Sequence, residues 1–144
     1  MSTKILHSAA ATFAWLSALA LAMPAMAEVV ILKATLTAAG EVPATTSKGT
    51  GTLTATFDTG SKTLSWRGSY SDLSGPPTAA HFHGPADPGK NAGVAIPISA
   101  NTSPFEGTAT LTDAQASDLL AGKWYVNIHT AANKAGEIRG QVTK

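Results

Sequence analysis

Cysteine is absent from the 144 residues, which excludes a disulfide scaffold, a thiolate metal site and a lipidated cysteine anchor. Stability must then come from secondary structure and an apolar core. Charge is also scarce: 13% of residues are charged, with ten Lys and Arg against nine Asp and Glu. Such a balance leaves no basic stripe for nucleic acid, no polybasic patch for anionic lipid and no acidic tail. No apolar run reaches the ~20 residues of a transmembrane helix. Residues that would make an ordinary active site are missing too. There is no Ser/His/Asp set, no pair of carboxylates at workable spacing and no phosphate loop. No catalytic residues are expected, and any catalysis would have to be metal-based.

The first 27 residues read as a cleaved secretory signal. Lys4 precedes an apolar run from Ala9 to Ala22, broken only by Thr12 and Ser17, and Ala25-Met26-Ala27 supplies an A-x-A cleavage site. No twin arginine precedes the run, so general export fits better than the folded-protein route. The mature chain is expected to run from Glu28 to Lys144 as one domain, periplasmic or secreted, with no stable membrane anchor after cleavage. The sequence leaves its protein partner open.

That mature chain alternates between short strands and turn clusters. Val29 to Thr37 is apolar and β-branched. In Thr50 to Asp58, Leu53, Ala55 and Phe57 alternate with threonines, the period of a strand with one wet face. Leu64, Trp66, Gly68 and Tyr70 repeat the pattern, and Asp58 to Lys62 between the two runs predicts a hairpin. Pro97 confines the strand through Val94, Ile96 and Ile98 to an edge or a bulge. The prolines and glycines of Gly84 to Gly93 mark a loop. Thr112-Asp-Ala-Gln115 reads as a capping box opening a helix of about two turns, with Gly122 placed to end it. The expected fold is all-β: an antiparallel sandwich or small barrel of about eight strands with one short helix.

Three histidines follow the leader, His81, His83 and His129. His81 and His83 flank Phe82 in one strand, so if Phe82 takes the core both imidazoles point the other way. The last two strands, Lys123 to Thr130 and Gly136 to Val142, form a hairpin. Setting Ile128 opposite Ile138, Val126 opposite Gly140 and Trp124 opposite Val142 buries one apolar face. The same register places His129, Asn127 and Tyr125 on the other face, opposite Glu137, Arg139 and Gln141. If the His81 strand neighbours this hairpin, three imidazoles converge. They would suit copper or zinc. Glu137 would then be an acceptor for a His129 ring N–H or a fourth ligand, and Asn127 and Arg139 orienting or anion-holding groups. A second reading stays open, in which the same residues form a metal-free polar network on an interaction or structural module. Asp87, close to His83, could be a ligand but reads more readily as a solvated turn residue. Trp66 and Trp124 read as core aromatics and Tyr125 as a surface residue.

The phrases Ala80-His-Phe-His-Gly-Pro85 and Trp124-Tyr-Val-Asn-Ile-His129-Thr-Ala-Ala-Asn133…Gly136-Glu-Ile-Arg-Gly-Gln141 resemble the CHRD domain, a module named for chordin. The resemblance runs from about Val30 to Val142 and implies an extracytoplasmic β domain, found singly in many exported bacterial proteins, with no established activity. Family members usually carry Pro-Gly where this chain has Lys134-Ala135, which implies a looser turn. Cupins also carry H-x-H, but this chain lacks the glutamate that follows it. Copper-zinc superoxide dismutase needs more histidines and a disulfide.

Overall fold

A computed structural model describes residues 26–144. The leader expected over residues 1–27 lies outside the described residues, apart from Met26 and Ala27. Among the described residues no helix is long and apolar enough to cross a membrane.

Among the described residues there are eight strands and one α-helix. In chain order they are β1 (Val29–Thr37), β2 (Thr50–Asp58), β3 (Thr63–Ser71), β4 (Pro77–His83), β5 (Val94–Ile98), β6 (Phe105–Thr110), α1 (Asp113–Leu120), β7 (Trp124–Thr130) and β8 (Ile138–Val142). All pair antiparallel in a single sheet of order β5-β4-β7-β8-β1-β2-β3-β6, which curls into a nearly closed barrel. The edge position of β5 follows from Pro97, which has no N–H to give a further neighbour. The β2–β3 hairpin turns where expected, and Asp58 Oδ1 accepts from the Gly60 and Ser61 amides at 2.9 and 2.8 Å.

Alternation fills the interior. Leu32 and Leu36 of β1, Leu53 and Phe57 of β2, and Leu64 and Trp66 of β3 point inward. They meet Phe82, Trp124, Val126, Ile128, Ile138 and Val142 from the other half of the sheet. Trp66 and Phe82 pack edge to face with ring centroids 5.2 Å apart. Cross-strand partners make room for the large rings: Gly107 lies opposite Trp66, and a Cβ there would overlap the indole.

Helix α1 starts as its sequence dictates. Thr112 Oγ1 accepts from the Gln115 amide at 3.2 Å, Gln115 Oε1 accepts from the Thr112 amide at 3.0 Å, and Gly122 follows the helix at φ +71°. Thr112→Ala is expected to lower stability by about 1 kcal/mol, measured as a shift of the urea midpoint with an unchanged slope. An unaltered midpoint would show that tertiary contacts of Leu119 hold the helix without its cap.

The two halves of the sheet differ on the outside. Over β2 and β3 the outward residues, among them Thr52, Thr54, Ser65 and Ser69, are exposed. Over β7 and β8 nearly every residue is buried on both faces, as are Ala80, Phe82 and His83 of β4. The polar face expected here is closed off from water, because connecting segments fold across it. The Gly84–Gly93 loop is pinned by Gln141 Nε2 donating to Ala86 O, by Arg139 donating to Lys90 O and Asn91 Oδ1, and by Tyr125 Oη bonding Ala92. The β1–β2 connection adds Thr45 Oγ1, which donates to Glu137 O at 2.9 Å. Polar side chains on that face thus serve as anchor points for loop backbone, whose own polar groups must be satisfied once buried.

Candidate metal centre

The β7–β8 ladder has the register that burying one apolar face requires: Ile128↔Ile138, Val126↔Gly140 and Trp124↔Val142. Strand β4 lies on the other side of β7, with His81 opposite Asn127, His83 opposite Tyr125 and Ala79 opposite His129. Phe82 takes the core at 0% exposure. Both β4 imidazoles therefore project onto the same outer surface as His129. One ring nitrogen from each of His81, His83 and His129 lies within 4.8 Å of the others. Two nitrogens on one ion with bonds near ~2.0–2.1 Å stand roughly 3.3 Å apart in a tetrahedron and 4.2 Å when opposed. For a tetrahedral ion the widest pair would have to close by about 1.5 Å, through rotation of the imidazoles about χ1 and χ2.

Backbone carbonyls lie against Nδ1 of two of the rings. His129 Nδ1 is 2.9 Å from Lys134 O, and His83 Nδ1 is 3.0 Å from Ala92 O. A carbonyl only accepts, so His129 Nδ1 carries the proton and donates, leaving a lone pair on Nε2, and the Ala92 carbonyl favours the same tautomer of His83. His129 Nε2 then faces His81 Nδ1 at 3.2 Å. That spacing suits one imidazole–imidazole hydrogen bond or two donors to one cation. Burial, followed by the neighbouring charges of His129 and His83, lowers the His81 pKa. Burial also lowers that of His83, against the opposing effect of its bonds to Ala92 and Asn127. Both shifts favour the neutral ring, the form that binds metal.

Around these rings stands a buried polar layer. Tyr125 stacks flat on His83, with centroids 4.7 Å apart and planes within 4°. The Arg139 guanidinium covers the other face of Tyr125, 3.4 Å from the ring centre. Arg139 thus orients His83 through Tyr125, and both are buried, where a surface tyrosine was expected. Asn127 Oδ1 stands 3.1 Å from His83 Nε2.

Glu137 does not serve His129, contrary to the expected role. Its carboxylate takes hydrogen bonds from the Ser47, Ser74 and Thr130 hydroxyls, the Ser74 amide and Asn133 Nδ2. The turn after β7 instead brings the Lys134 carbonyl to the imidazole. Asp87 stays outside the group, exposed and paired with Lys123 Nζ at 3.0 Å.

Glu41 was not singled out from the sequence, yet it is 6% exposed and belongs to this layer. Burial raises its pKa, and the Arg139 charge and the Asn127 amide oppose the rise. One signal was available: Glu41 is the only acidic residue between Glu28 and Asp58. The Ala92 and Lys134 carbonyls carry no side-chain signature at all.

A protein-family model described as the CHRD domain matches residues 32–142. No curated protein and no solved structure matches the chain significantly.

Proposed function

The chain belongs to the CHRD domain family, and on that premise we propose that it is an exported domain that binds one copper or zinc ion through His81, His83 and His129. The observation that carries this reading is the convergence of three ring nitrogens within 4.8 Å while Nδ1 of both His83 and His129 is held by a backbone carbonyl. Metal-ligating histidines almost always have such an outer bond, because it fixes the tautomer and aims the free lone pair. Three imidazoles without thiolate suit Cu²⁺ and Zn²⁺. The leader expected over residues 1–27 supports export, as does the extracytoplasmic setting the family resemblance implies. No residue is assigned a catalytic role.

One observation favours a second reading, a metal-free structural or interaction module: His83 already contacts an acceptor at each ring nitrogen. Calorimetric titration of the untagged mature protein with Cu²⁺ and Zn²⁺ separates the two. The metal reading expects one ion per chain. His83→Ala and His129→Ala should each weaken binding by at least about 100-fold, beyond what loss of an outer-shell partner costs, while circular dichroism stays unchanged. Binding no tighter than that of scattered surface histidines, or indifferent to both changes, would leave the structural reading standing.

A further inference from the structure

The strand register puts Asn127 in the middle of the histidine group. It faces His81 directly across the β4–β7 ladder, and His129 lies two residues along the same strand. His83 lies diagonally opposite, two pairs further along. Directly opposed side chains have Cβ atoms about 4.5–5.5 Å apart, and diagonal or same-strand neighbours about 7 Å. Asn127 therefore adjoins all three imidazoles by backbone placement alone, and it is 2% exposed.

Its amide orientation follows from what lies behind it. The Glu41 carboxylate packs over Gly136, where a Cβ would overlap Glu41 Oε1 and stand 2.7 Å from Asn127 Nδ2. Glu41 Oε1 is buried and short of a well-aligned donor. Turning a second acceptor toward it would be unfavourable, so Asn127 presents its NH₂ to Glu41 and its carbonyl oxygen to the histidines. Gly136, at φ +132°, has the backbone and the missing side chain that let the two groups approach.

This orientation leaves one contact without a proton. His83 Nδ1 faces the Ala92 carbonyl and His83 Nε2 faces Asn127 Oδ1, at 3.0 and 3.1 Å. A neutral imidazole has one N–H for those two acceptors. With the proton on Nδ1, two lone pairs face each other at Nε2 and Oδ1. A cation held by both atoms removes the conflict. The 3.1 Å separation of that pair, and the 3.2 Å between His81 Nδ1 and His129 Nε2, are each close to the roughly 3.3 Å edge of a tetrahedron around an ion with ~2.0–2.1 Å bonds.

We infer that Asn127 Oδ1 is the fourth ligand of the metal centre, held in place by Glu41, so that the site is a closed set of three imidazole nitrogens and one amide oxygen. The inference rests on the metal reading proposed above. Such a set selects a borderline divalent ion and disfavours Cu⁺, which prefers sulfur. A filled fourth position also makes the centre a holding site rather than one with a place kept open for substrate.

Co²⁺ loading of the untagged protein tests this, because visible absorption of Co²⁺ is intense in four-coordinate tetrahedral sites and weak when water raises the coordination number. The wild type should show the intense bands, and Asn127→Asp, which keeps an oxygen and adds charge, should keep them and bind Zn²⁺ at least as tightly. In Asn127→Leu a water takes the vacated position, so the bands should shift and change intensity, and Zn²⁺ should bind about 10–100-fold more weakly, with circular dichroism confirming the fold. Wild-type affinity and an unchanged Co²⁺ spectrum in Asn127→Leu would remove Asn127 from the coordination sphere while leaving three-histidine binding intact. Failure of the wild type to take up Co²⁺ or Zn²⁺ would overturn both readings together.

Discussion

Glu137→Gln is expected to lower unfolding stability at pH 7 by about 2–3 kcal/mol, the scale of charge-assisted hydrogen bonds to one buried group. Glu137 is 0% exposed. Its carboxylate takes bonds from Ser47 Oγ at 2.5 Å, the Ser74 amide at 2.7 Å, Ser74 Oγ at 2.5 Å, Asn133 Nδ2 at 3.1 Å and the Thr130 hydroxyl. Burial alone would raise its pKa, but the Ser47, Ser74 and Thr130 donors outweigh burial and hold it at about 2. A carboxyl whose folded pKa lies below its unfolded value contributes stability that is fully present above about pH 4.5 and is lost as pH falls toward 2. The wild type should therefore lose stability across that window, and Glu137→Gln should lack that component. Glu41 acts with the opposite sign, because burial raises its pKa, so the difference between the two proteins isolates Glu137. Urea unfolding at pH 7 and pH 3 reads both effects. Equal midpoints for the two proteins at pH 7 would show that the donors find other partners at no cost. The donors come from the β1–β2 and β3–β4 connections and from the β7–β8 turn, so Glu137 fastens three loops around one side of the histidine surface.

Phe82→Ala should cost about 3–5 kcal/mol, the range for emptying a buried aromatic site, and lower the melting temperature by roughly 10–20 °C. Phe82 lies between the two β4 histidines in sequence but on the opposite face in space. It packs edge to face on Trp66 at 5.2 Å and tilts against Trp124 at 5.8 Å. Removing the ring leaves a cavity under β4 and frees the strand that carries His81 and His83, so on the proposed metal reading affinity should fall with stability. Phe82→Leu keeps most of the volume and should cost less than about 1.5 kcal/mol. A loss below about 1 kcal/mol for Phe82→Ala would mean that the two halves of the sheet do not close on this ring.

Much of this arrangement was legible because side-chain period ties local pattern to face. Leu53, Ala55 and Phe57 among threonines mark the inner face of β2, and the observed burial follows them. The Ile128↔Ile138 register was legible for the same reason, since a slip of one residue would expose Trp124, Val126 and Ile128 together. Thr112 and Gln115 mark a helix start through a bond spanning three residues, which needs no tertiary context. Hidden were the residues whose roles depend on contacts distant in sequence. Glu137 looked paired with His129 because the register places the two opposite each other. Its carboxylate instead met Ser47, 90 residues away, and Ser74, 63 residues away. Tyr125 read as a surface residue because alternation distinguishes core from outside and does not report a loop lying across the outside.

The sequence by itself determined the strands, the hairpin registers, the core face and the placement of three histidines on the opposite one. These follow from periodicity, turn chemistry and the cost of exposing apolar surface, all of which act over a few residues. Only the tertiary structure decided that β4 lies beside β7, that the Gly84–Gly93 loop closes over the polar face, and that carbonyls of Ala92 and Lys134 lie against Nδ1 of His83 and His129. It also brought Glu41 behind Asn127. Every residue has the same backbone carbonyl, so no sequence pattern marks which ones a folded chain will turn toward a ring nitrogen. The barrel's closure and its loops make that choice.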